Sequence, residues 1–426
     1  MSAFSKIWNN VDLKRKFLFT AMIFVLYRLG SFIPVPTINT AVLSALSDIP
    51  MLGFMDALTG GALKRFSFFA MSISPYITAS IVIQLLQMDV IPILSEWAKE
   101  GETGKRKLNQ LTRYMALVLA FIQAITMAIG FNLLQGGVLL QSHAWWAYAY
   151  IALVMTAGTA VMLFLADQLT SKGIGNGTSM IIVAGIVTRI PYMISDLYTE
   201  YLTTITLTNV LAVISIVALL ILTVIGVIYL QSATRKLPIQ YANRHNSAQL
   251  SGRKDSFIPL KLNSAGVIPV IFASSLITVP LTIIGFFPES NFTEILNMVF
   301  NWNRPIGFVL YAGLIVAFTY FYSFVQVSPE KVAENLKKQG SYIPGVRPGV
   351  DTEEYLSKVL ARITFIGAIY LVVIACLPIL FGALTNLPDS VQIGGTSLLI
   401  VVGVAIETAK QIQTKTNDQK YRGFIK

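Results

Sequence analysis

Ten apolar stretches, most of them near twenty residues long, run through the 426 residues of this chain. A helix needs about 20 apolar residues to cross roughly 30 Å of hydrocarbon. The stretches lie near 17 to 34, 68 to 88, 111 to 133, 146 to 166 and 178 to 195, and then near 209 to 230, 262 to 285, 306 to 327, 359 to 381 and 394 to 412. Apolar residues make up 54% of the chain and charged ones 12%, more greasy surface than a water-soluble core of this size can bury. The expectation is an all-α polytopic membrane protein with ten transmembrane helices. The first stretch is followed by Pro34 and Pro36 rather than a small-residue cleavage site, so it is expected to stay as a helix.

Basic residues set the orientation, because Lys and Arg near span ends resist translocation. Of the 32 in the chain, 27 fall in the amino-terminal segment, in the even-numbered connections and in the tail after the tenth stretch. Lys64, Arg65, Arg189 and Arg304 lie on the opposite side, and Arg28 sits inside the first span. Both termini are therefore expected in the cytoplasm. The same bias accounts for the net charge of +11, although an acidic partner, anionic lipid or nucleic acid fits it too. Cys376 is the only cysteine, so neither a disulfide framework nor a thiolate metal site can form within one chain; it reads as a packing residue.

Five spans per half means that any duplication would place the halves upside down relative to each other, a common plan in transport proteins. The domain reading is an amino-terminal half over 1–195 with a plug near 51–66, an external connection over 196–208, a carboxy-terminal half over 209–412 and a basic tail over 413–426. Two cytoplasmic connections, 231–261 and 328–357, hold 31 and 30 residues, far beyond what a turn needs. The first alternates apolar and polar residues on both sides of Ser251 and Gly252, as a β-hairpin does, with Arg253 and Lys254 at its tip. The second opens on a helix started by Pro329 and stopped by Gly340, then sets Arg347 between two proline turns. These loops suit docking of a large acidic or RNA-rich partner; solvated loops that merely fix topology are the alternative.

The external segment around Gly60 and Gly61 is too short to cross a membrane and apolar enough to be buried, so it reads as a re-entrant half-helix or as an interfacial one. The second and seventh spans are unusually rich in hydroxyls, amides and prolines, which suits helix packing or a wet interior. Ion-coupled transport calls for titratable groups deep in the bilayer. Here Asp89, Asp167 and Glu407 lie toward cytoplasmic ends, while Arg28 is expected to snorkel or to bond helix carbonyls. His143 and His245 lie outside the spans, and the chain lacks the HExxH, GxSxG and GxxxxGK[ST] motifs. The run from Gly173 to Gly177 reads as a tight turn, since no strand precedes it.

Several stretches match one family in its own order. They are FIPVP at 32 to 36, GGAL at 60 to 63, PYITASIVIQLL at 75 to 86, EGETGKRKLNQLTRY at 100 to 114 and KGIGNGTSMII at 172 to 182. Further on come RKLPIQYA at 235 to 242, PLKLNSAGVIPVIFASS at 259 to 275, IPGVRPG at 343 to 349 and GGTSLLIVVGV at 394 to 404. Over essentially its whole length the chain resembles the SecY family, central subunits of the bacterial protein-conducting channel. The resemblance implies a clamshell of two inverted five-helix halves, hinged at the fifth-to-sixth connection, around an hourglass pore. It implies a pore ring of Ile77, Ile81, Thr178, Ile182, Ile271 and Ile400, with Thr178 where an aliphatic residue is frequent. It implies a re-entrant plug helix containing Leu58, Thr59, Gly60, Gly61, Ala62 and Leu63. A lateral gate would run between the second and third spans and the seventh and eighth, with Ser80, Gln84, Gln123 and Thr278 as its polar contacts. Arg235, Lys236, Arg244, Arg253, Lys254 and Arg347 would dock the ribosome, through its RNA and proteins, or the SecA motor ATPase. SecE and SecG are implied as small subunits, signal peptides and nascent chains as substrates, membrane lipid as the lateral destination and a bacterial plasma membrane as the location. No cofactor, metal or catalysed reaction is implied. An ion-coupled secondary solute transporter is the rival from another class.

Overall fold

The computed structural model describes residues 11–39, 56, 59–88, 90–134, 144–202, 206–241, 256–284, 290–385 and 389–422. In chain order the elements are α1 (Val11–Gly30), α2 (Ser74–Leu86), α3 (Pro92–Lys99), α4 (Glu102–Leu134), α5 (Trp145–Lys172) and α6 (Gly177–Leu197). A single π-helical turn (Tyr198–Leu202) leads to α7 (Leu207–Ser232), followed by β1 (Thr234–Tyr241), β2 (Ser256–Lys261), α8 (Ile268–Ile284) and α9 (Asn291–Phe300). The chain continues through α10 (Pro305–Gln326), α11 (Pro329–Lys338), β3 (Ser341–Tyr342), α12 (Val350–Thr385) and α13 (Asp389–Arg422). Each apolar stretch carries one helix. Among the described residues six helices are long and apolar enough to cross a membrane, while those of the second and seventh stretches are shorter.

The bundle is partly inside out. In α7 only 17% of the most apolar window is buried, and Leu211, Ile214, Leu222 and Ile225 are all more than half exposed. In water such a face would be very costly; against hydrocarbon it is solvated. The largest buried cluster joins residues of α2, α5, α6, α8, α10, α12 and α13 along the centre of the bundle.

The second span starts later than its hydropathy suggests. Apolar character begins near residue 68, but α2 begins at Ser74, and residues 60–73 pass through successive turns. Phe66 and Ser72 adopt positive φ, and Pro75 sits in the first turn of α2, where its missing N–H costs nothing. Phe66 keeps its strained backbone because its ring is fully buried edge-on to Phe131, at 5.4 Å between centroids. Val35 N–H donates to Phe66 O and Phe68 N–H to Ile33 O, so the two ends of the external connection are zipped together.

The hairpin of the first long basic connection forms as its alternation predicts, β1 pairing antiparallel with β2 from Thr234↔Lys261 to Ile239↔Ser256. Its tip, with Arg244, Arg253 and Lys254, lies outside the described residues. Sequence reasoning missed the third strand: β3 pairs with the end of β1, through Gln240↔Tyr342 and Tyr241↔Ser341. Leu237 and Leu260 point from the hairpin into a small cytoplasmic core with Ala333, Leu336, Ile343, Leu356 and Val359. The two long loops therefore form one folded unit. The short amphipathic helices α3 and α9 were not expected either.

Candidate functional site

Ile77 and Ile81 stand four residues apart on α2 and so share one face. They meet Ile182 of α6, Ile271 of α8 and Ile400 of α13 in the central cluster, where all five are at most 8% exposed. A cavity of about 790 Å³ is lined by Ile182, Ile271 and Ile400 together with Gln231, Lys261, Asn263, Tyr322, Glu407 and Lys410. Ten residues of helix separate Ile400 from Lys410, about 15 Å, so the cavity runs from an apolar end at Ile182, Ile271 and Ile400 to a polar end at Glu407 and Lys410. Thr178 differs from the other expected ring residues in its bonding. It lies half-buried in the first turn of α6, where its N–H and its hydroxyl both donate to the Asn176 carboxamide oxygen, at 3.1 and 2.7 Å. A hydroxyl held by the helix N-cap gains nothing from joining an apolar ring.

On the external side the segment expected as a plug helix leaves helical geometry at Gly60. Asp56 and Thr59 are helical, whereas Gly60, Gly61, Ala62 and Leu63 form turns; Leu58 lies outside the described residues. The reason is two successive positive-φ glycines, at 66° and 85°. The segment is held by polar bonds. Arg189 of α6 forms an ion pair with Asp56, whose side chain is 1% exposed against 16% for the arginine. Asp56 Oδ1 also accepts the Lys64 N–H at 3.0 Å. From α1, Tyr27 donates its hydroxyl to Thr59 O at 2.7 Å and Arg28 Nη1 donates to Gly60 O at 3.0 Å. Arg28 thus bonds a carbonyl of the external segment rather than one of its own helix. A Cβ on Gly60 would sit 2.6 Å from Thr188 Oγ1, so α6 approaches too closely for any side chain there.

Along the expected lateral seam, α8 touches both α2 and α4. Gln84 Nε2 donates to Ser80 Oγ at 3.1 Å, one turn back on α2. The carboxamide oxygens of Gln84 and of Gln123 on α4 are buried and accept no hydrogen bond. Thr278 is buried on α8 and donates its hydroxyl to Ser274 O at 2.6 Å, within its own helix.

In the cytoplasmic unit Arg235 and Lys236 are exposed on β1, and Lys236 Nζ lies 4.8 Å from the centre of the Phe257 ring on β2. Arg347 is exposed in the turn before α12, with its carbonyl accepting the Thr352 hydroxyl at 2.7 Å. Glu334 and Glu354 are held below the usual carboxylate range by hydrogen bonds from Lys338 and Lys358. Those two lysines are thereby neutralised, whereas Arg235, Lys236 and Arg347 have no ion pair among the described residues.

Sequence reasoning missed the Asp56–Arg189 pair. The available signal was a lone carboxylate in an apolar segment, which demands a partner, but the two residues are 133 positions apart. Lys261, Glu407 and Lys410 in the cavity lining were legible only as loop or span-end charges.

A family model described as SecY matches residues 67–409. The chain is 50% identical over 418 residues to the protein translocase subunit SecY of Bacillus licheniformis, covering 97% of each chain. It is 48% identical to that of Bacillus subtilis over the same shares and 47% identical to that of Staphylococcus carnosus, covering 99% of this chain and 98% of the relative. Among solved structures the fold is similar to "The structure of a protein conducting channel", with a TM-score of 0.68 at 16% identity, covering 95% of this chain and 93% of the other. It is also similar to "Sec61 in the Canine ribosome-channel complex from the endoplasmic reticulum", with a TM-score of 0.65 at 16% identity and the same shares. With half of its residues identical to a translocase subunit along nearly the whole length, and the fold of a protein-conducting channel around its buried isoleucines, this chain belongs to the SecY family.

Proposed function

We propose that this chain is the central subunit of a bacterial plasma-membrane channel, with both termini in the cytoplasm, that conducts unfolded, signal-bearing polypeptides outward and releases hydrophobic segments sideways into lipid. The observation that supports this is the set of five buried isoleucines from four helices gathered in one apolar cluster, three of which, Ile182, Ile271 and Ile400, line a cavity whose other lining residues include Gln231, Lys261, Glu407 and Lys410. Branched aliphatic side chains make a deformable collar: it excludes water when shut, as narrow apolar constrictions do, and offers a passing peptide no directional bond to hold it. The chain catalyses no covalent chemistry; partners supply the energy.

In this account Ile77, Ile81, Ile182, Ile271 and Ile400 are the pore ring, and the segment through Thr59 to Leu63 is the plug that closes the outer side. The lateral exit opens where α2 and α4 meet α8 and α10. The halves 1–195 and 209–412 hinge at 196–208, which is supported by the π-helical turn Tyr198–Leu202 that interrupts the helix there. SecE and SecG are the small subunits. Arg235, Lys236 and Arg347, with Arg244, Arg253 and Lys254 of the tip, dock the ribosome or the SecA motor. The exposed cations of the cytoplasmic unit support this, as does the ribosome-bound channel among the similar folds.

The test is reconstitution of the purified chain with SecE, SecG and SecA and measurement of ATP-driven protection of a signal-bearing preprotein from external protease. Signal-dependent protection, lost when the plug is crosslinked to the ring, is the expected result. No protection despite verified assembly would overturn it in favour of the ion-coupled solute transporter.

A further inference from the structure

We infer that the external end of the bundle holds a binding site for the phosphate of an anionic phospholipid in the outer leaflet, built from Arg28, Arg65 and Tyr192. The guanidinium carbons of Arg28 and Arg65 lie 4.5 and 4.2 Å from the centroid of the same Phe32 ring. Arg65 Nη2 donates to the Tyr192 hydroxyl at 3.1 Å, while its Nη1 is buried with no hydrogen-bond partner. Arg28 uses Nη1 on Gly60 O, at 3.0 Å. Arg189, on the same helix as Tyr192, is neutralised by Asp56, but neither Arg28 nor Arg65 is ion-paired among the described residues.

Two guanidiniums gathered around one ring repel each other, and here they do so on the side that basic residues otherwise avoid. An anion lowers that cost, and the planar fork of arginine matches a phosphate. The surroundings select a lipid as the source. Phe32 and Tyr192 are about half exposed, at 51% and 49%, and the apolar Leu29, Ile33 and Ile194 beside them are more exposed still. Cations and a tyrosine above an exposed apolar band sit at headgroup level. The site serves lipid association and does not depend on translocation.

The probe is dibrominated phosphatidylglycerol against dibrominated phosphatidylcholine in nanodiscs holding the assembled complex, with a bimane label on Ile33→Cys. Cys376 is buried, and the unsubstituted chain is the control for labelling there. An arginine near an anionic lipid surface is worth about fivefold in affinity. With two arginines at the site, half-maximal quenching by phosphatidylglycerol is therefore expected at about a 25-fold lower mole fraction than by phosphatidylcholine. Arg65→Gln is expected to reduce that preference about fivefold and Arg65→Lys to keep most of it. If Arg65→Gln does not assemble, Tyr192→Phe, which keeps the ring and removes the hydroxyl, is expected to lower the preference measurably. Equal quenching by the two lipids, or a preference untouched by the substitution that assembles, overturns the site. Loss of the preference on adding inorganic phosphate overturns the lipid assignment in favour of a free anion.

Discussion

The proposed pore ring and the proposed plug of this molecule are built from opposite chemistries. The five isoleucines of the proposed ring share one buried apolar cluster. On the external side Asp56, Thr59 and Gly60 are held by Arg189, Tyr27 and Arg28 through an ion pair and two hydrogen bonds to carbonyls. Apolar contact is non-directional and proportional to area, so a collar made of it can stretch around a chain and close again by degrees. Hydrogen bonds are directional and weaken steeply as they stretch or bend, so a segment held by them is either seated or released. On the proposed reading, the contrast gives the ring a graded seal and the external segment a switch-like one.

The sharpest way to break that contrast is to strip one partner from the ion pair. Arg189→Gln leaves a buried carboxylate uncompensated, a cost of about 3–5 kcal/mol. It is expected to unseat the segment and admit preproteins with defective signals in the reconstituted assay, while the swap of Asp56→Arg with Arg189→Asp recovers part of the seal. Unchanged signal dependence in Arg189→Gln would show that the pair does not hold the closed state. Next in size, Ile271→Asn exchanges a buried aliphatic side chain for an amide and forfeits about 2–3 kcal/mol of burial. A graded rise in ion leak is expected, with the external segment still seated by crosslinking; an all-or-none opening would erase the distinction between the closures. Gly60→Ala adds a methyl at positive φ against Thr188, about 1–2 kcal/mol, and should show the unseating of Arg189→Gln in milder form. The smallest expected effect belongs to the seam. Gln84→Leu removes a buried carbonyl oxygen that accepts no bond, worth about 1 kcal/mol, so the closed seam should become more stable and lateral insertion of weakly hydrophobic segments should fall. Increased insertion would contradict this account of the seam.

Much of this was legible before any coordinates. The helical nature of the apolar stretches follows from hydropathy because a bilayer forces every backbone group to be satisfied within its own segment. The hairpin over Thr234–Tyr241 and Ser256–Lys261 follows from alternation. What escaped was long-range or local strain: β3 has only two residues, too few for a periodic signal, and the late start of α2 depends on the positive φ of Ser72. Thr178 aligns with a ring position by motif, yet the N-cap geometry of Asn176 takes its hydroxyl. Five of the six expected ring positions do gather in one cluster, because they lie on helix faces that each span buries.

By itself the sequence determined that the chain is rich in apolar helices suited to a membrane and which family it resembles, and it set an expectation of ten crossings with the basic loops inside. Those properties are sums over local composition, and composition is written residue by residue. Only the tertiary structure decided that Asp56 meets Arg189, that Arg28 reaches the carbonyl of Gly60, and that two arginines share the ring of Phe32. Such pairings join residues up to 133 positions apart, and they are set by how helices pack against one another, a property that no single segment carries.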